Sequence, residues 1–400
     1  MSQSASSAAA REPLRRAEEI LARPRPDRAK LDAILAAVLA RIDASLDLFT
    51  EAFPRPSSEG GVYAPMDNTE WTNGFWTGML WLAFEASGQS RYRLAAERQV
   101  ESFRDRIERE VNVDHHDLGF LYSLSCVAAW KLTGSMSGRE AALAAARRLM
   151  TRYLPAAGII QAWGDLSDPE QAGRMIIDCN LNLPLLYWAS EETGDPAFRI
   201  AADSHIAQAG KHIVRPDAST FHTFYMDPNT GEAVGGKTHQ GFSDSSCWAR
   251  GQAWGVSGFP LVHRYKADPA LIELAARLAN YFLNRLPDDL ICCWDLVFTN
   301  APHERDSSAA AIAACGLLEL ARALPLADPD RETYEAAALA MVETLGERYL
   351  LPLGQPGTGI LAHGVYHMPN RVGVDEACIW GDYFFLEALV RLTRVWEPYW

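Results

Sequence analysis

His115-His116-Asp117-Leu118-Gly119-Phe120-Leu121-Tyr122 opens a run that continues through Trp130 to Thr133-Gly134. An aspartate stands just before an apolar, aromatic-rich segment, and a Thr-Gly pair closes it. Asp in that place is a helix N-cap signal, and a glycine after the last periodic residue supplies a left-handed C-cap. The stretch reads as one helix over 119–132, apolar almost all round and therefore buried on every side. A second, more polar helix follows it.

The same unit recurs along the chain. First helices are expected over 74–86, 119–132, 182–192, 250–265, 308–323 and 381–395, with turns at Ser87-Gly88, Thr133-Gly134 and Thr193-Gly194. The second helices carry apolar i,i+4 pairs, Tyr92/Ala96, Phe198/Ala202, Leu271/Ala275 and Tyr334/Ala338, with Arg and Glu on the opposite face. A period of about 45 to 75 residues is that of a helix-pair array. An open array needs a polar capping helix at each end. Here the last unit runs into Trp396-Glu397-Pro398-Tyr399-Trp400, which reads as exposed and uncapped. Wholly apolar first helices and the missing cap favour closure. The expected fold is all-α, an (α/α)6 barrel with a small β-hairpin in one long loop. Residues 29–400 form its single domain, starting with an amphipathic helix at about 29–47, and residues 1–28 read as a disordered tail.

The bulk numbers exclude several function classes. The chain has 400 residues, 48% hydrophobic and 22% charged, which is ordinary globular composition. A net charge of −14 argues against nucleic acid and anionic membranes as partners. No window approaches the roughly 18 apolar residues of a membrane span, and the first 28 residues hold no signal-peptide core. The cysteine count, 7, is odd, and Cys292-Cys293 are adjacent rather than spaced as zinc ligands. Reduced thiols and a cytoplasmic location are expected.

A second aspartate repeats the opening pattern, in Ile176-Ile177-Asp178-Cys179-Asn180-Leu181-Asn182-Leu183-Pro184. If the two helices run parallel, Asp117 and Asp178 meet at one end of the ring. Two facing carboxylates are the minimum equipment for acid/base work on a glycosidic bond. The bland alternative is a pair of plain caps. In a closed ring the long loops 53–72, 156–177, 216–248, 287–306 and 351–379 lie on one face, where function concentrates. They carry Trp71, Trp163, His222, Gln240, Trp248, Trp294 and His363. Indole faces beside carboxylates and amides suit a sugar.

Other motifs tempt. Gly231-Glu232-Ala233-Val234-Gly235-Gly236-Lys237-Thr238 spells a nucleotide-binding P-loop, but no buried strand precedes it and no helix follows. A hairpin delivering His222 and Gln240 fits better. His115-His116-Asp117 lacks the spacing of a metal motif, so neither metal nor cofactor is expected. Ser245-Ser246-Cys247-Trp248 reads as a cap for the helix near Arg250, with no Gly-x-Ser-x-Gly elbow. Arg250, amid tryptophans, needs an anion, either a protein carboxylate or one on a substrate. Trp76, Trp81 and Trp188 read as core.

Taken together, His116-Asp117-Leu118-Gly119-Phe120, Asp178–Pro184, Gly235–Gly241, Trp248-Ala249-Arg250-Gly251-Gln252-Ala253-Trp254 and Ile379-Trp380-Gly381-Asp382-Tyr383 resemble the unsaturated glucuronyl hydrolases, glycoside hydrolase family 88. The likeness runs from about Trp71 onward. It implies the (α/α)6 barrel and a hydrolase that releases a terminal 4,5-unsaturated uronic acid from lyase-generated oligosaccharides by hydrating the C4=C5 enol ether. It implies Asp178 as general acid and base and Asp117 as partner carboxylate. His116 would lie beside them. His222, Gln240, Trp248 and Arg250 would surround the uronate, with Trp71 and Trp163 as stacking walls. The sister unsaturated rhamnogalacturonyl hydrolases are the alternative. A sugar epimerase would rely on paired histidine bases, and a helical scaffold leaves the aspartate pair unexplained. The segment Val374-Asp375-Glu376-Ala377-Cys378, acidic and without Lys, would repel sulfate and leans the expectation to unsulfated substrates.

Overall fold

Six helices buried along most of their length stand side by side: Asn73–Ser87, Leu118–Tyr122 continued to Ala128–Thr133, Leu183–Thr193, Ala249–Lys266, Ser307–Ala323 and Ile379–Thr393. Their apolar sequences leave no polar face for solvent, so each must be covered on both sides. A computed structural model describes residues 10–400 apart from Pro169, Ala301 and Gln355. Six amphipathic helices form the outer layer: Arg28–Ser45, Ser90–Glu108, Met136–Met150, Pro196–Gln208, Pro269–Leu283 and Arg331–Arg348. The (α/α)6 barrel is the fold.

The glycine turns do what the sequence implies. Gly88, Gly134 and Gly194 cap the first three inner helices at φ of 70°, 70° and 75°. Closure shows in the aromatic packing between first and last inner helices, where Phe75 lies 5.5 Å from Tyr383 and 6.1 Å from Phe384. The second inner helix is not continuous. A π turn at Ser123–Val127 interrupts it, and Trp81 Nε1 donates to the Ser125 carbonyl there at 3.0 Å. Trp76, Trp81 and Trp188 are buried in the core.

The expected hairpin is present as Thr223–Met226 with Ala233–Lys237. A third strand, Arg174–Ile176, pairs antiparallel with its first strand and leads directly into Asp178. The P-loop lookalike is thus turn and strand, with no helix after it. A second hairpin, Gly364–His367 with Val372–Glu376, sits in the last long loop.

Two expectations need correction. Of the stretch read as a disordered tail, residues 10–28 lie against the outer layer, and residues 1–9 fall outside the described residues. Arg11 pairs with Glu273 at 2.6 Å and Asp328 at 3.0 Å, and the Glu12 carbonyl accepts from Asn280 Nδ2 at 2.8 Å. Ile20, in the short helix Ala17–Leu21, joins the core. Composition reads these residues as solvated because their partners lie more than two hundred positions away. In the segment 396–400, Trp396, Pro398, Tyr399 and Trp400 are likewise buried rather than exposed, and only Glu397 faces solvent. Trp400 stacks on Phe384 at 5.8 Å and meets Phe120 edge-on at 6.0 Å, stopping the ring at the end away from the long loops. No helix among the described residues is long and apolar enough to cross a membrane. All seven cysteines are free and buried.

Candidate active site

The long loops meet over one end of the ring around a cavity of about 440 Å³. Trp71, His116, Asp117, Trp163, Asp178, His222, Gln240, Trp248 and Arg250, the residues implied by the family likeness, all line it. Thr69, Glu70, Asn112, His115, His239, Trp254, Tyr366 and His367 complete the wall.

Asp117 directly precedes the helix at Leu118, and Asp178 stands inside a 3-10 turn, Ile177–Leu181. Neither side chain caps a helix. A capping residue needs extended backbone. Asp117 has φ −72° and ψ 15°, and Asp178 is already within its turn, so both carboxylates are left for the cavity. Close helix packing brings them together. A Cβ on Gly119 would lie 2.3 Å from the Asn182 Cα, so only glycine lets these two segments touch. The Asn182 side chain then bridges them, accepting from the Phe120 N–H at 2.8 Å and donating to the Asp178 carbonyl at 3.3 Å.

His116 lies between the two acids, its Nε2 3.3 Å from Asp117 Oδ1 and 3.5 Å from Asp178 Oδ1. Burial, and then the charge of Asp117, raise the pKa of Asp178 well above the usual carboxylate range, and Arg250 offsets this only in part. Burial acts the same way on Asp117, but His116, His115 and the Asn182 amide outweigh it and hold its pKa low. Burial lowers His116 to about 4, against the pull of Asp117. The surroundings thus push the two acids apart, Asp178 toward its protonated form and Asp117 toward its ionised form, beside an imidazole that burial favours as neutral. Two carboxyls pushed apart in pKa are the signature of an acid and a charged partner.

The opposite wall is fixed by hydrogen bonds. His222 Nδ1 accepts from the backbone N–H groups of His239 at 3.0 Å and Gln240 at 3.3 Å. Its proton is thus on Nε2, and burial keeps the ring neutral. Arg250 lies between the indoles of Trp248 and Trp380, 4.4 and 4.8 Å from their centroids. Its protein anion is Asp306 at 3.6 Å, and it also donates to the Gln240 side chain and to the carbonyls of Val365 and Tyr366. Trp71 stacks on Trp380 at 5.3 Å, with its Nε1 donating to the Tyr366 hydroxyl at 3.1 Å. Trp163 is 37% exposed, with Arg174 over its ring at 4.9 Å.

Trp294 and His363, also counted among the cleft residues of the loops, lie elsewhere. Trp294 is buried against Val365 and Met368, and His363 pairs with Asp375 at 2.5 Å on a separate surface depression. His363 stands just before the strand, in left-handed backbone at φ 61°, which turns it away from the residues that follow. The hairpin that starts at Gly364 brings Tyr366 and His367 to the cavity. Ser246 does not cap the helix at Ala249; its hydroxyl donates to Asp295 at 2.7 Å. The acidic segment before Ile379 does not face the cavity either. Asp375 is taken by His363, and Glu376 accepts from the Ser58 hydroxyl and from the Gly60 and Gly61 N–H groups. The ground for expecting unsulfated substrates is thereby removed. His239 and His367 line that part of the wall instead.

The sequence profile of Glycosyl Hydrolase Family 88 matches residues 45–355. The chain belongs to this family. It is 50% identical over 363 residues to the "Unsaturated chondroitin disaccharide hydrolase" of Streptococcus pyogenes, covering 90% of this chain and 91% of that one. The crystal structure of unsaturated glucuronyl hydrolase from Streptococcus agalactiae superposes with a TM-score of 0.95 at 45% identity, over 97% of this chain and 98% of that one. An Asp-to-Asn variant of that enzyme, solved with dGlcA-GalNAc6S, superposes with a TM-score of 0.88 at 42% identity, over the same shares of both chains. The protein is a glycoside hydrolase of this family.

Proposed function

We propose that this cavity hydrates the C4=C5 double bond of a terminal unsaturated uronic acid and so releases it from a lyase-generated oligosaccharide. The observation that carries the reading is the geometry of the pair: oxygens of Asp178 and Asp117 and a His116 nitrogen lie within 4.8 Å of one another, where burial and the Asp117 charge favour a protonated Asp178 and the histidines favour an ionised Asp117. An enol ether is protonated at C4, which needs a carboxylic acid that still holds its proton at neutral pH. Asp178 gives that proton, and positive charge develops at C5 and the ring oxygen beside ionised Asp117. Water adds to C5 and its proton passes to the Asp178 carboxylate, restoring the acid. The resulting hemiketal opens to a ketone at C5. The hemiacetal left at C1 collapses to an aldehyde, and the next sugar leaves as an alcohol.

The other side chains act by position. His222 presents an Nε2–H donor of fixed tautomer, and Arg250 supplies a buried cation for the uronate carboxylate. Trp71 and Trp163 offer ring faces to the sugar's C–H surface. The names of the relatives favour a glucuronyl over a galacturonyl substrate, so chondroitin-type disaccharides are the first to test, sulfated and unsulfated alike.

Close carboxylates also suit a second reading, attack at the anomeric carbon by one acid with the other as proton donor. Family membership favours hydration. Incubating the protein with unsaturated disaccharides and following the ultraviolet absorbance of the double bond tests the activity itself. Wild type removes the absorbance and Asp178→Asn does not; an inactive wild type, or an active Asp178→Asn, contradicts the assignment.

A further inference from the structure

Beside the mouth of the cavity a buried carboxylate holds an aromatic ring out in solvent. Phe242 is 60% exposed. Its backbone N–H donates at 2.9 Å to Oδ2 of Asp295, a residue with no exposed surface. The same oxygen accepts from the Ser246 hydroxyl at 2.7 Å, and Oδ1 accepts from the Val297 N–H at 3.1 Å. One carboxylate thus ties the segment around Phe242 to the segment 295–298. Phe242 and Phe298 meet edge to face at 5.1 Å, and Trp294 lies 5.7 Å behind Phe298. Val297, 55% exposed, extends the patch. A ring this exposed gains nothing from the core, so anchoring it calls for a use outside the core.

The patch is joined to the cavity wall along the chain. Phe242 stands two residues after Gln240, and Met368, packed on Trp294, follows His367; Gln240 and His367 both line the cavity.

We infer that Phe242 and its neighbours form a distal subsite that stacks the sugar beyond the leaving one in substrates longer than a disaccharide. This rests on the function proposed above. With the terminal uronate between the two aspartates, the leaving sugar fills the mouth, and the next ring lies outside it with an apolar C–H face to present. An aromatic face binds such a surface without regard to sulfation or to the identity of the sugar.

The test compares unsaturated di- and tetrasaccharides made by one lyase from one polymer. In Phe242→Ala the ratio of kcat/KM for tetrasaccharide to that for disaccharide falls about three- to tenfold, carried by KM. Phe242→Trp restores it. An unchanged ratio overturns the inference, and so does equal loss on both substrates, which would mean the ring acts through the loop carrying Gln240. A wild-type dimer that Phe242→Ala dissociates, seen by sedimentation with the ratio unchanged, overturns it in favour of a contact between copies. A wild type inert on both substrates fails the hydrolase reading first and takes this one with it.

Discussion

The two ends of the ring are built from the same inner helices and treat ionisable groups in opposite ways. At the end stopped by Trp400, charges are matched. Glu387 accepts from Tyr383 at 2.7 Å, Trp400 at 2.9 Å and Arg391 at 2.8 Å. Glu319 accepts from Arg391 at 2.7 Å and Arg264 at 3.0 Å, and these arginines hold its pKa low despite burial. At the cleft end, Asp117 Oδ1, Asp178 Oδ1 and both ring nitrogens of His116 make no hydrogen bond within the protein. A buried polar atom without a partner costs stability. At the cleft end that cost falls on the acids and the imidazole between them, while the charges at the other end are paired.

Breaking the cleft end should affect rate most. Asp178→Asn is expected to lower kcat about 10²- to 10⁴-fold, the usual range for a lost general acid, with KM little changed. Asp117→Asn is expected to cost about 10²-fold and to move the pH profile as well. In wild type, activity falls as pH rises and Asp178 loses its proton, and falls again at low pH as Asp117 gains one. The optimum is mildly acidic to neutral. Removing the Asp117 charge lowers the pKa of Asp178, so the alkaline limb shifts to lower pH; a limb that stays put would uncouple the pair.

Breaking the stopped end should affect stability instead. Glu387→Gln leaves Arg391 short of a partner in the core and is expected to destabilise the fold by about 3 kcal/mol, with the pH–rate profile unchanged. Denaturant unfolding and the profile together check this. The opposite sign is expected from the cleft. A carboxyl whose folded pKa lies above its unfolded value gives stability that is full below about pH 4 and lost as pH rises through the folded value. Asp178→Asn removes that loss, so the variant should be more stable than wild type at pH 8, with the gap closing toward pH 4. The smallest effect concerns metal. His116, Asp117 and Asp178 could offer three ligand atoms to a cation. Proton sharing needs none, so exhaustive chelation should leave the rate unchanged; restoration by one divalent ion would contradict it.

The barrel was legible because its signals are local. Wholly apolar runs ending at Gly88, Gly134 and Gly194 mark inner helices, and the structure begins and ends them within a few residues of the expected positions. The cavity wall was legible where an unusual residue sits in a motif, as Arg250 does among tryptophans, and where the family likeness named it. What escaped depends on distant partners or on register. Arg11 is held by Glu273 and Asp328, Tyr366 reaches the cavity only through the hairpin that pairs Gly364–His367 with Val372–Glu376, and Arg174–Ile176 becomes a strand only beside Thr223–Met226. The aspartates looked like caps because sequence shows what precedes a helix and not the backbone angles there.

Solvolysis of an unsaturated disaccharide in heavy water containing methanol tests most directly whether the Asp178 proton goes to C4. Hydration chemistry yields an adduct with deuterium at C4, methoxyl at C5 and the leaving sugar still attached at early times, seen by NMR. A methyl glycoside with methoxyl at C1 and the double bond intact would contradict it, and would turn the same two carboxylates into a displacement pair.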